Sequence, residues 1–195
     1  MSASNCGGND RVDAKLIPRT IKYCHAVLHG RWIVDIGWVQ QSGRCGFWID
    51  ETPHEIEGDH KLCGPNARGL GAPQSGRRRL ERREAALLVG WSVVLQGNFT
   101  APKKIDLRDL LTGGGATVCD KLESALTLGG GGGGGGGSKK RERKARAKLL
   151  VLSEEPPSPA LTASCEQHGV KLVRPDWLLD SISYYELRPH REYVW

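Results

Sequence analysis

The chain has no apolar run near the roughly 20 residues that a bilayer requires, so no membrane helix is expected. It has no CxxC pair: Cys6, Cys24, Cys45, Cys63, Cys119 and Cys165 are widely scattered. It has no leader with an apolar core. A secreted disulfide scaffold is therefore not expected, and the cysteines read as reduced thiols of a cytosolic or nuclear protein. No nucleophile elbow, paired-carboxylate site or Ser/His/Asp arrangement is present, which argues against an enzyme. Nine consecutive glycines at 129–137 satisfy a GxGxxG pattern trivially. No Lys-Ser/Thr follows them and no helix can start within them, so a phosphate loop is excluded. No cofactor is implied.

Apolar residues are also scarce, at 38%. The deficit sits in the Gly/Arg-rich stretch 64–84 and in 129–148, so folded pieces joined by disordered ones are expected. Residues 1–14 read as a disordered start. The net charge of +6 has one source. Residues 139–148 hold seven Lys or Arg against one Glu, a net +6 of their own. The rest of the chain balances, so any pull on polyanions is concentrated in this insert. Its cations Lys139, Lys140, Arg141, Arg143, Lys144 and Arg146 fit an import signal or a DNA or chromatin contact, and equally a solvated charged helix end.

What is present is an alternation of short apolar strands and helices. Helices are expected over 19–28, from about 35 towards 43, and over 104–111, 160–168 and 175–185. Strands are expected over 32–34, 91–96, 116–119, 149–152 and 170–173, with 47–49 and 55–57 as short extended pieces. This alternation argues for a parallel sheet with helices on its faces. A repeat shows through it: Gly30-Arg31-Trp32-Ile33-Val34 with Trp38 parallels Gly169-Val170-Lys171-Leu172-Val173 with Trp177. The three tryptophans read as core anchors. His25 and His29 stand four apart on a helix, but no third ligand is evident, so an exposed helix face is expected. The loose group His54, His60 and Cys63 lacks zinc-finger spacing and is read the same way.

The segment Arg19-Thr20-Ile21-Lys22-Tyr23 puts a hydroxyl and an ammonium on the first turns of a helix with a guanidinium beside them. A phosphate dianion takes charge-assisted bonds from such groups. The same residues also fit a solvated helix start capped by threonine.

The Gly-led strand followed by a Trp-bearing helix, twice over, resembles the closing signature of a BRCT domain, a four-stranded parallel sheet with helices. The chain is similar to the tandem BRCT regions of the breast cancer type-1 susceptibility protein family and its RING-domain partners, in particular the plant and algal forms. The resemblance rests on residues 19–22 and 30–38, on Pro53-His54-Glu55-Ile56 and Gly64-Pro65, and on 97–115. It implies an α/β fold of tandem BRCT domains with the first repeat incomplete: its C-terminal part at 15–57, an inter-repeat linker at 58–86, and a second repeat at 87–195 carrying the insert 129–148. Nothing before Lys15 supplies the opening strand, first helix and second strand of the first repeat, so a fragment is expected.

In that family a phosphoserine peptide binds in the groove between repeats. The resemblance assigns phosphate binding to Lys22 and Thr20, and peptide binding to Arg19, with Cys24, Ala101 and Pro102 around the residue three places after the phosphoserine. The Ser/Thr-Gly half of the family's phosphate site has no counterpart here. The implied role is a nuclear phosphopeptide reader in DNA repair, with a phosphorylated protein partner and a RING-domain partner in a ubiquitin-ligase complex. The alternatives are a phosphate-independent docking or DNA-binding scaffold, or an appendage of a DNA ligase or polymerase.

Overall fold

The computed structural model describes residues 14–61, 70–129 and 148–195. The expected disordered start, Cys6, Cys63, most of the glycine run and the basic residues 139–147 lie outside the described residues. So does Gly64-Pro65.

The C-terminal half is built on four strands: β3 (Trp91–Gln96), β4 (Thr117–Cys119), β5 (Lys148–Ser153) and β6 (Lys171–Val173). They pair in parallel in the order β4-β3-β5-β6. The central strands are apolar along their length because both faces are covered. On one face Val93, Leu95, Leu150, Leu152 and Val173 meet Leu107, Leu110 and Leu111 of α4 (Lys104–Gly113) and Trp177, Leu178 and Ile182 of α7 (Asp176–Tyr184). On the other, Val94 and Val151 meet Leu122 and Ala125 of α5 (Leu122–Gly129) and Cys165 of α6 (Pro159–Gln167).

The N-terminal half holds β1 (Leu16–Ile17), α1 (Ile21–Leu28), α2 (Ile36–Cys45), β2 (Gly58–Asp59) and α3 (Ala72–Glu81). The first strand pairs in parallel with the second, Leu16 with Gly58 and Ile17 with Asp59. Thus the stretch 58–86, expected as a connection, contains a strand and a helix. α1 buries Tyr23, Cys24, Val27 and Leu28 and packs against α3, α4 and α7, which joins the two halves.

The sequence repeat is a structural repeat with a fixed offset of 139 residues. The indole N–H of Trp38 donates to the Ile49 carbonyl, and that of Trp177 to the Arg188 carbonyl, each at 2.9 Å. The Ser42 and Ser181 hydroxyls accept the Ile49 and Arg188 N–H groups at 3.2 and 3.1 Å. Val34 bridges antiparallel to Glu55 as Val173 does to Val194. Both helix-to-strand turns need a left-handed glycine, Gly30 at φ +58° and Gly169 at φ +64°.

Burial does not repeat. Trp177 is fully buried, but Trp38 is half-buried and stacks on Trp48 with centroids 4.8 Å apart. Trp32, expected in the core, is 38% exposed and lies under the Arg77 guanidinium at 3.6 Å. Residues 32–34, expected as a strand, contribute only the Val34 bridge. A strand's indole needs a covered sheet face to be buried, and among the described residues this one is covered mainly by an arginine.

Candidate functional site

Pro18 delivers the chain to Thr20, whose extended backbone (φ −105°, ψ 162°) makes it the N-cap of α1. Its hydroxyl oxygen accepts the Tyr23 N–H at 3.1 Å. One donor orphaned at the helix start is satisfied in this way, and the hydroxyl keeps its own proton to donate.

One residue earlier, Arg19 reaches across to α7. Its guanidinium donates to the Asp180 carboxylate at 2.6 Å and stands 3.9 Å from that of Asp176. The Tyr193 hydroxyl donates to the other Asp180 oxygen at 2.8 Å. Burial, then that bond, pushes the Tyr193 phenol up to about 12. Arg19 is thus fixed and its charge matched.

Between the start of α1, the loop before α4 and the flank of α7 lies a cleft of about 530 Å³. Arg19, Thr20, Cys24, Ala101 and Pro102 all line it, so five of the six residues expected at a site come together. The sixth, Lys22, is exposed on α1 and is not among the residues lining the cleft. Cys24 forms part of the wall, and burial pushes its thiol up to about 12. Such a thiol is inert at neutral pH and acts as a small apolar surface.

Three lining residues were not legible from sequence: Ile21, Leu179 and Lys61. Ile21 and Leu179 read simply as helix apolar positions. Lys61 arrives because β2 runs parallel to β1 and the His60 N–H bonds the Ile17 carbonyl at 3.0 Å, carrying the next residue alongside the chain that leads to Arg19. No local pattern announces a pairing forty residues apart.

His29 Nδ1 lies 2.8 Å from the His25 carbonyl, and no group of three metal-ligating side chains occurs among the described residues.

Comparison with known proteins agrees with this fold. The BRCT domain family matches residues 86–194. Among curated relatives, the BRCA1-associated RING domain protein 1 of Arabidopsis thaliana is 26% identical over 88% of this chain. The breast cancer type 1 susceptibility protein homolog of Mus musculus is 30% identical over 94% of it. The chain spans 24% of the first and 9% of the second. Among solved structures, the BRCT5-BRCT6 domains of S. pombe Brc1 align over 89% of this chain and 76% of theirs, with a TM-score of 0.59 at 15% identity.

Proposed function

The chain belongs to the BRCT domain family, and from that premise we propose that it is a phosphoserine-peptide-binding module of a nuclear DNA-damage-response scaffold. Residues 15–57 are the C-terminal part of a first repeat, 58–86 a connection that carries β2 and α3, and 87–195 the second repeat. One observation carries the reading: the cleft between the halves gathers the Arg19 guanidinium, the Thr20 hydroxyl and the Lys61 side chain around apolar walls. An ammonium with a hydroxyl beside it suits a phosphate, and apolar walls suit a peptide side chain next to it. Lys22 lies two residues after Thr20 on an exposed part of the first turn of α1, outside the residues that line the cleft, and its place in the phosphate site rests on the family resemblance. The longer protein would act with a RING-domain partner in a ubiquitin-ligase complex. The module itself binds and does no chemistry.

The test is selection from a degenerate peptide library with fixed phosphoserine, then calorimetry on the selected peptide and its dephosphorylated twin. Phosphate-dependent binding that Lys22→Met removes is the expected result. Equal affinity for both peptides would exclude the reading.

A second reading, phosphate-independent docking, is favoured by a different surface. Ile36, Val39, Phe47 and Trp48 are 69, 48, 66 and 73% exposed on α2 and the turn that follows it. Contiguous exposed apolar groups mark interaction surfaces. Retention of a partner by Lys22→Met and its loss on Phe47→Asp would support this reading over the first.

A further inference from the structure

The opposite end of the second sheet, where β5 and β6 begin, carries a set of cations that the peptide cleft does not use. Parallel register sets Trp91 opposite Lys148, and Leu150 opposite Lys171. Side chains alternate along a strand, so Trp91, Val93 and Leu95 share a face with Lys148, Leu150 and Leu152 and with Lys171 and Val173. All but the two lysines belong to one core cluster. The lysines are the first residues of β5 and β6 and stand where that core face reaches solvent.

The Lys148 ammonium lies 5.4 Å from the Trp91 ring centroid. His190 closes the same end, its ring centroid 5.4 Å from both Trp91 and Trp177. Burial first, then the charges of Lys171 and Lys148, holds the imidazole below its ordinary value. Lys171, His190 and Arg191 line a cleft of about 620 Å³ with Pro189 and Val194, and no carboxylate is among its lining residues. Lys148, Lys171 and Arg191 form no ion pair among the described residues. Glu192, the adjacent acid, has its carboxylate 3.9 Å from Arg188 instead.

Three cations at one end of the sheet, none of them in an ion pair among the described residues, favour an anion. Lysine offers a point charge rather than a fork, which suits single phosphodiester oxygens better than paired recognition of carboxylates. Lys148 is also the last residue of the 139–148 tract, so in sequence the basic run leads straight to this end of the sheet. The peptide cleft lies beyond the other end of β3, six residues away or about 20 Å at strand rise.

We propose that Lys148, Lys171 and Arg191 form a second anion site, separate from the inter-repeat cleft, that contacts a nucleic-acid phosphate backbone without reading sequence.

The experiment is fluorescence anisotropy of the whole chain with a labelled duplex of random sequence across a salt series. Lys148→Gln/Lys171→Gln/Arg191→Gln should weaken binding about tenfold or more and reduce the slope of log affinity against log salt by about 2–3, near 0.9 per lost phosphate contact. Lys148→Arg/Lys171→Arg should restore it. Lys171→Glu/Arg191→Glu, confined to exposed positions, should weaken it too should the Lys148 change disturb folding. Binding lost on deleting 130–147 yet unchanged in the triple variant would overturn the site. So would absence of duplex binding, or competition by poly-glutamate as effective as competition by DNA, which would identify an acidic protein as the ligand. Phosphopeptide calorimetry on the triple variant should be unchanged, so this result and that of the peptide cleft are read separately.

Discussion

Arg19 and Asp180 face each other across the two halves, guanidinium to carboxylate at 2.6 Å, with side chains only 9% and 16% exposed. Residues 161 apart in sequence are thereby joined at the wall of the cleft beside α1. A pair withdrawn from water this far has lost hydration that its partner replaces. Removing one member leaves a buried charge unmatched, which costs about 3–5 kcal/mol. Arg19→Ala and Asp180→Ala should each lower the urea midpoint accordingly. The double variant should be less destabilised than the sum of the two, since each single loss already breaks the pair. Additive losses in a double-mutant cycle would show that the two groups act independently.

Thr20 serves the fold and, on the proposed reading, the ligand. As N-cap it should lose about 1 kcal/mol of stability on Thr20→Ala. Thr20→Ser keeps the hydroxyl and should restore both stability and phosphopeptide affinity. If Thr20→Asp keeps stability, being a good cap, while abolishing phosphopeptide binding through charge repulsion, the two roles are separated. Unchanged binding in Thr20→Asp would confine the residue to capping.

The two equivalent tryptophans should differ in cost. Trp177 is fully enclosed, and Trp177→Ala should destabilise by about 3–5 kcal/mol. Trp38 is half-buried against the exposed Trp48, so its truncation should cost less, with the ring pair itself contributing about 0.5–1.5 kcal/mol. Thermal or urea unfolding of the two variants measures the order directly.

α3 shows why part of the fold was hidden. Its residues 72–81 read as linker because Pro73, Gly76 and three arginines break any apolar period. The helix exists because Pro73 occupies its first turn and Gly76 seats it on α1: a Cβ there would stand 2.2 Å from the Val27 carbonyl oxygen. Gly76→Ala should therefore destabilise. The roughly 1 kcal/mol of helix propensity gained is outweighed by a backbone clash of about 1–3 kcal/mol. A raised melting temperature in Gly76→Ala would show that α1 and α3 are not in contact.

The legible parts were those with a local signature. β3, a continuous apolar run bounded by glycines, was expected with the bounds it has, and the repeat offset was visible from Gly30/Gly169 and Trp38/Trp177 alone. β1 was not: two residues long, it is defined only by its pairing with Gly58 and Asp59. α5 escaped because its apolar positions Leu122 and Ala125 run directly into glycine. At the cleft, Arg19 and Thr20 stood out by their own chemistry, Cys24, Ala101 and Pro102 were named through family resemblance, and Lys61 depended on a non-local strand pair. The burial of a tryptophan depends on what covers it, which the sequence around Trp32 does not state.

Asp35 gives the first half a measurable acid sensitivity. Its carboxylate accepts from the Lys15 ammonium at 2.7 Å and lies 3.1 Å from the His54 ring nitrogen. The Lys15 bond first, then the His54 bond, lowers its pKa to about 2. A carboxyl depressed in the folded state adds stability that is complete above its unfolded value, near 3.9. That stability is lost as pH falls through the folded value, since the unfolded chain then binds the proton more readily. The window is therefore about pH 4 down to pH 2. Asp50, Asp120 and Glu154 are lowered as well, each by hydrogen bonds to a neighbour, so the wild type alone cannot isolate the effect. The difference between wild type and Asp35→Asn does. Wild type should lose melting temperature more steeply than Asp35→Asn between pH 4 and pH 2, and the two curves should run parallel between pH 5 and pH 7. Parallel curves throughout would mean that the Lys15–Asp35–His54 contacts do not hold the start of α2 in solution.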